Sequence, residues 1–508
     1  MNTKLLRLKI LDLAFRGKLV PQDFEEESAS ELLEKIWTEK ERLIRIGEVR
    51  CEKKDSTIFC DDDDLHYERF RDGTLICIED ELPYDLPDGW VWSRVNGVCI
   101  VNPRNDVDDS TVVSFVPMAQ IDDEFSNHFT FQDRPWREIK SGFTHFQDGD
   151  IGLAKITPCL ENRKSVVFTG LANGIGAGTT ELHIFRPIIS SLILPEYLLW
   201  YFKTERFIKD CIGAFSGAVG QQRVGKDYVA SYLLPIPPAS EQGRIVHAIE
   251  NAFKQISSVE CDKSYLESAI TAVKSKILSL AIQGKLVPQD PNDEPALALL
   301  DRIRIARIAT GNGKRINTIV HTLNDVAGDY NFDLPQGWAM SALGDISTII
   351  QYGLSNAAEE SGNYKFLRIT DIQNNRVAWN TVPYTTISDA EAKNFLLEDD
   401  DIVFARTGAT VGKSYIISGL AEPAVFASYL IRVKTIGVYS LYVKRFFECG
   451  FYWEQITDKT VGTGQPNVNG TKLKQLILPI PPLPEQHRIV EAIDVAFKQL
   501  DSIAENLG

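Results

Sequence analysis

From Ser240 to Gly284 the chain keeps a strict alternation of four- and three-residue steps between apolar positions: Ile245, Ile249, Ala252, Ile256, Val259, Lys263, Leu266, Ile270, Val273, Ile277 and Leu280. That spacing lets a helix present one seam to a partner helix. At 1.5 Å per residue the stretch would run roughly 65 Å, more than a globular core needs, so it predicts a rod between two bodies. Lys263 is the single non-apolar seam position. It either fixes the register of the pair or extends to solvent where the seam opens.

The partner helix is present in two pieces. SEQGRIVHAIENAFKQI (Ser240 to Ile256) recurs as PEQHRIVEAIDVAFKQL (Pro484 to Leu500), an offset of 244, and Ile489, Ile493, Ala496, Leu500 and Ile503 repeat the seam. KILSLAIQGKLVPQD (Lys276 to Asp290) recurs as KILDLAFRGKLVPQD (Lys9 to Asp23), an offset of 267, with Leu6, Ile10 and Leu13 continuing it. Placed on the central helix by these offsets, Gly508 falls at position 264 and Met1 at 268. The chain therefore reads as a pseudo-two-fold circular repeat, opened inside one of its two rods.

A length of 508 residues exceeds one core and calls for two or more domains. The eight cysteines form no CxxC pair and do not recur at the repeat offsets, which argues against a disulfide framework or a zinc site and fits a reducing cytoplasm. The most apolar window, Leu192 to Phe202, is too short for a bilayer and contains Pro195 and Glu196, so no membrane span is expected. The basic, apolar opening imitates a targeting peptide, but its match to Lys276–Asp290 makes it structural. A net charge of −16 speaks against nucleic acid until it is localised. Between Pro21 and Trp90 there are 22 acidic residues against nine basic ones, whereas Val91–Pro238 carries 16 against 14 and Pro335–Leu483 carries 14 against 13. Either near-neutral stretch can gather a basic face.

The domain order follows. Residues 1–46 form an N-terminal helical segment in which Ser28–Ile46 is an amphipathic helix. Residues 47–85 are polar and acidic and read as a linker. LPDGW (Leu86–Trp90) opens a body at 86–238; the central long helix and a short helix occupy 239–310; 311–333 is a second linker. LPQGW (Leu334–Trp338) opens a body at 334–482, and 483–508 is the C-terminal helix. Short apolar runs bounded by Gly, Asn and Asp predict strands, and Pro195–Cys211 and Tyr439–Ile456 predict helices, so each body is α+β. Both bodies close on LPIPP, whose prolines stop the preceding structure, and Glu241 or Glu485 follows where a carboxylate complements a helix N-terminus.

Taken together, LPDGW and LPQGW, the two LPIPP runs each followed by EQ, and the two helices ending in GKLVPQD resemble the specificity subunit of a type I restriction-modification system, over nearly the whole chain. The resemblance implies two target-recognition domains separated by a long antiparallel two-helix coiled coil. It also implies double-stranded DNA as a partner, read as a bipartite asymmetric target with one half-site per domain. Two modification (methyltransferase) subunits and restriction/translocase subunits would carry the chemistry, with S-adenosylmethionine, ATP and Mg in those partners and none in this chain. Related bodies on antiparallel rods acquire an approximate two-fold axis and can face inverted half-sites; unlike sequences make the half-sites unlike.

Two places in each body offer DNA-contact side chains. RTGATVGKS (Arg406–Ser414) imitates a phosphate-binding loop, but three residues rather than the four of the nucleotide motif separate Gly408 from Gly412, which argues against an ATP site. Arg406 and Lys413 can still serve a DNA phosphate, and Lys155, Arg163 and Lys164 are the corresponding residues of the first body. A strand-turn-strand with solvated charges accounts for them equally well. Before each LPIPP stand Gln221, Gln222, Arg223 and Lys226, or Gln465, Asn467, Asn469 and Lys472, side-chain types that pair with adenine, guanine and phosphate, although Gly and Asn also simply form turns. Asp389, Glu391 and Lys393 match a nuclease fragment that the other body lacks. Asn102-Pro103 lacks the second proline of a methyltransferase element, Arg104 standing there instead. The seven histidines show no metal-ligand spacing. A non-catalytic DNA reader is the expectation, against a self-contained DNA methyltransferase or nuclease, or a structural adaptor that binds no DNA.

Overall fold

The computed structural model describes residues 2–506 except 24, 51–54, 62, 219, 310–332, 374, 407–410 and 459–467. The chain divides into two compact units, Met1–Asp262 and Lys263–Gly508, the division falling inside one continuous helix of 44 residues, Ala239–Ile282. The predicted second linker lies almost wholly outside the described residues.

In the first unit the N-terminal helix Thr3–Phe15, capped by the Asn2 side chain, packs on the beginning of the long helix. Leu11, Ala14 and Phe15 share a core with Ile245, Ile249, Phe253 and Ile256. The helix ends at Gly17 in the left-handed region (φ +64°), where a Cβ would stand 2.3 Å from Pro87 Cγ. Only glycine allows the Leu-Pro segment to cross there. The second unit repeats the joint: Gly284 has φ +65° and the same 2.3 Å approach to Pro335.

The seam differs from its expected residues. Leu6 is 39% exposed and Arg7 is buried in its place, while Val259, Leu266 and Val273 are exposed. In the second unit Ile270, Leu278, Ala281 and Ile282 are the buried positions, sharing a core with Ile489, Val490 and Ile493. A straight helix drifts about 20° per heptad against a strict seven-residue repeat, so four heptads rotate the buried face by nearly one residue's 100°. Lys263 is half-buried.

Each unit carries a β-rich body of matching topology. In the first, an antiparallel sheet orders Ser165–Val167, Ile151–Ala154, Leu182–Pro187 and Cys99–Val101. In the second, the order is Ser347–Tyr352, Leu430–Thr435, Ile402–Ala405 and Ser414–Ile416. A second sheet in each contains one parallel pair, Val112–Val116 with Ile175–Gly178 and Tyr364–Leu367 with Ala424–Phe426. The first three residues of each LPIPP run belong to a strand, and the two prolines that follow stop it. Leu233–Ile236 and Ile477–Ile480 are strands paired with Val91–Arg94 and Ala339–Ala342, and proline is tolerated because these sheets have only two strands.

Residues 47–85 are not a linker. Ser56–Cys60, His66–Phe70 and Leu75–Cys77 form a three-stranded antiparallel sheet, and Asp61, Asp63 and Asp64 of the acidic run lie in its first hairpin turn. It is anchored by buried charge: Lys40 of the helix Ala29–Arg45 meets Asp55 at 2.6 Å and the Asn96 carbonyl at 2.9 Å, and Arg94 meets Glu68 at 2.7 Å. Ile78, Trp92 and Leu233 pack beneath it.

The LPxGW and EQ motifs form a clasp in each unit. The Trp90 indole donates to Glu241 Oε2 at 3.0 Å, and the Trp338 indole donates to Glu485 Oε2 at 3.0 Å. Burial pushes both carboxyls above the usual range, and the indole bonds pull them back. The next residue braces the helix entry. Gln242 accepts from Leu194 N–H and donates to the Leu192 and Pro237 carbonyls, while Gln486 accepts from Tyr439 N–H and donates to the Pro481 carbonyl. Tyr197 and Tyr442 donate to the Pro235 and Pro479 carbonyls, each at 2.8 Å.

Trp90→Phe removes the donor to a buried carboxylate and is expected to destabilise the first unit by about 1–3 kcal/mol in chemical denaturation. Arg7 donates two bonds of 2.8 Å to Glu260 and holds its carboxyl down at about 2. A carboxyl lowered in the fold contributes stability above its ordinary value of 4.5, and loses it as pH falls toward 2. The melting-temperature difference between the wild type and Arg7→Gln should therefore be full at pH 6 and shrink between pH 4.5 and 2.

Candidate nucleic-acid interface

In the first unit the chain leaves the strand Ile151–Ala154 at Lys155. The Lys155 N–H donates to the Glu181 carbonyl at 3.0 Å, and the Lys155 carbonyl accepts from Val224 N–H at 3.0 Å. Thr157 N–H donates to the Gln222 carbonyl, and Ser216 and Arg223 exchange bonds of 3.0 and 2.9 Å that close the preceding loop. Two segments singled out separately in the sequence thus meet at one corner. His183 underlies it: burial pushes its imidazole down to about 4, so the ring is neutral, and Nε2 donates to the Val224 carbonyl at 3.1 Å.

The second unit builds the same corner. Arg406 follows the strand Ile402–Ala405, its N–H donates to the Tyr429 carbonyl at 3.1 Å, and its carbonyl accepts from Val468 N–H at 3.2 Å. Lys155 and Arg406 are therefore equivalent, as are Glu181 and Tyr429, and the buried Val224 and Val468. The side chains presented differ. Arg223 is held by Glu181 through Nε (2.8 Å) and Nη2 (2.9 Å), and the guanidinium lowers the Glu181 carboxyl below its usual range. Across the repeat, Tyr429 is 62% exposed, and the Arg406 guanidinium lies 4.9 Å from the centre of the Tyr352 ring. The Tyr352 hydroxyl accepts from Gly470 N–H at 2.9 Å, tying this aromatic to the segment before the strand Ile477–Ile480.

Not every expected side chain reaches the corner. Lys155 and Gln222 are half-buried there, and Gln221 is exposed. Lys226, half-buried, opens the short helix Lys226–Ala230. Arg163 is interior, 4% exposed: its Nε donates to the Lys203 carbonyl at 3.1 Å, Nη2 pairs with Glu205, and the guanidinium lies over Phe125. Lys164 turns inward to the Ile121 carbonyl at 2.7 Å. Both are corrections to the sequence expectation, which placed them beside Lys155 because local spacing does not reveal that the chain reverses at Arg163 (φ +58°). Lys413 is exposed at the end of the Arg406 loop, its carbonyl accepting from Ala405 N–H at 2.8 Å. Asn469 caps the helix Gly470–Lys474, its side chain accepting from Lys472 N–H at 2.9 Å, so its oxygen serves the backbone. Lys472 is half-buried on that helix. Gln465, Asn467 and the middle of the Gly-rich loop lie outside the described residues.

Glu181, Tyr352 and Tyr429 were not visible as site residues. Each acts through a partner dozens of positions away, and a lone Glu or Tyr beside a strand gives no local signal. Among the described residues no group of three or more His, Cys, Asp and Glu could hold a metal ion, and no helix is long and apolar enough to cross a membrane. The seven described cysteines are all free. What the corners offer is a cation in each unit, amide side chains in the first and an exposed aromatic in the second, the chemistry of nucleic-acid contact.

Comparison with known proteins fits this picture. The type I restriction modification DNA specificity domain matches residues 335–507. The EcoAI specificity subunit of Escherichia coli is 33% identical over 545 residues, covering 97% of this chain and 88% of that one. The EcoEI specificity subunit of Escherichia coli is 31% identical over 560 residues, covering 99% and 90%. Among solved structures, a chain from work on the assembly and conformational transition of the type I R-M system aligns with a TM-score of 0.59 at 19% identity, covering 84% of this chain and 94% of that one. The HsdS subunit from Thermoanaerobacter tengcongensis aligns with a TM-score of 0.51 at 18% identity, covering 84% and 93%. These two carry the same fold.

Proposed function

Because this chain belongs to the specificity subunits of type I restriction enzymes, we propose that it reads a bipartite, asymmetric DNA target, one half-site at the corner of each unit. It is the recognition component of its system and not a catalytic one. The observation that carries the bipartite reading is the repeated corner: the same two backbone hydrogen bonds fix Lys155 in one unit and Arg406 in the other, while the neighbouring side chains differ in charge and shape. A constant backbone with changed side chains is what two related readers of unlike sequences require.

The reading extends to an assembly in the cytoplasm. Two modification subunits would bind this chain and methylate adenine with S-adenosylmethionine, and restriction/translocase subunits would use ATP and Mg, no cofactor being assigned to this chain. The acidic balance is compatible with DNA because the excess sits largely in residues 23–27, on the three-stranded sheet and in residues 79–88 rather than on the corners.

At physiological salt the full-length chain, alone or with modification subunits, should prefer one bipartite duplex over scrambled DNA by about 10³-fold or more, measured by competition binding. Equal affinity for both would end the proposal, and methylation or cleavage by the lone chain would replace it with an enzyme in its own right. Lys413→Ala should weaken binding to all sequences alike and reduce the slope of log affinity against log salt by about 1, as loss of one phosphate contact does.

A further inference from the structure

We infer that Arg223 reads a guanine of the first half-site and that Glu181 is the positioning residue holding it in plane. The inference rests on the proposed function and names the chemistry of one contact within it. A guanidinium has five N–H donors in a fixed plane. Nε and Nη2 donate to the two Glu181 oxygens, at 2.8 and 2.9 Å, and Nη1 donates to the Gln221 carbonyl at 2.9 Å. Among the described residues one donor on each Nη has no acceptor, and Nη1 and Nη2 together make the edge of the guanidinium opposite the arginine stem. The Arg223 side chain is 41% exposed and Glu181 is 27% exposed.

That edge matches the N7 and O6 acceptors of guanine in the major groove, the commonest specific partner of arginine. A phosphate fits it less well. The Glu181 carboxylate, 2.8 Å from Nε, cancels the net charge that attracts the DNA backbone and repels a phosphate oxygen, but exacts no such penalty from the neutral edge of a base. The buttress also fixes the side chain before DNA arrives, so little rotamer freedom is lost on contact. The second unit has Tyr429 where the first has Glu181, which confines this device to one half-site.

The test uses the full-length chain and duplexes in which each base pair of its own first half-site is substituted in turn. One G·C pair should resist replacement in the wild type, and 7-deazaguanine there should weaken binding. Glu181→Ala and Arg223→Ala should lower the preference at that pair about 5- to 150-fold while preserving the other pairs and the second half-site. In Arg223→Ala the 7-deazaguanine substitution should have no further effect. Glu181→Gln keeps the volume and one acceptor, so it should retain the melting temperature and lose less selectivity than Glu181→Ala. A loss spread evenly over all duplexes, or unchanged selectivity in both alanine variants, overturns the inference. A wild-type chain without preference for any bipartite duplex fails at the earlier step, and takes the proposed function down as well.

Discussion

An indole N–H aimed at a buried carboxylate organises each half of this protein. Trp90 and Glu241 lie 151 positions apart, as Trp338 and Glu485 lie 147 apart, and each pair ties the first turn of a β-rich body to the first turn of the helix that follows it. A carboxylate removed from water is costly unless a donor meets it, so the tryptophan cannot drift without leaving that cost uncompensated. Around the bond the other motif residues take definite duties. The glutamine threads its amide between loop carbonyls, the glycine of GKLVPQD leaves room for a proline that a Cβ would meet at 2.3 Å, and a tyrosine from the body reaches the proline carbonyl of the paired strand.

This division explains what could be read in the sequence and what could not. The circular repeat, the long helix and the two bodies opened by LPDGW and LPQGW were legible because each leaves a pattern in the sequence itself. The three-stranded sheet was not. Its strands are three to five residues long, and the acidic turn of Asp61–Asp64 masked the alternation on either side. What holds the sheet is Lys40 meeting Asp55 out of solvent, a pairing that composition reads only as surplus charge. The seam was correct in kind and one residue out in places, Arg7 replacing Leu6, because helical drift accumulates over a rod and cannot be seen in a single heptad.

The candidate site was legible by type rather than by position. Lys155 and the Gln221–Lys226 segment do converge, but Arg163 and Lys164 turn inward to carbonyls and to Glu205. Exposed and interior basic residues look alike in sequence, and only the reversal at Arg163 separates them. Glu181 went unnoticed for the opposite reason. A carboxylate argues against DNA contact when taken alone, and becomes intelligible once seen gripping an arginine across 42 positions.

The clasps have a further consequence, for inheritance. The Trp90 indole enters at the leading edge of its body and Glu241 stands just past the trailing edge, so a segment of foreign sequence spliced between those margins finds both halves of the fastening ready. The corners lie wholly inside the margins. A lineage built this way can acquire a new target in a single genetic crossover, without passing through intermediates that have lost the old one.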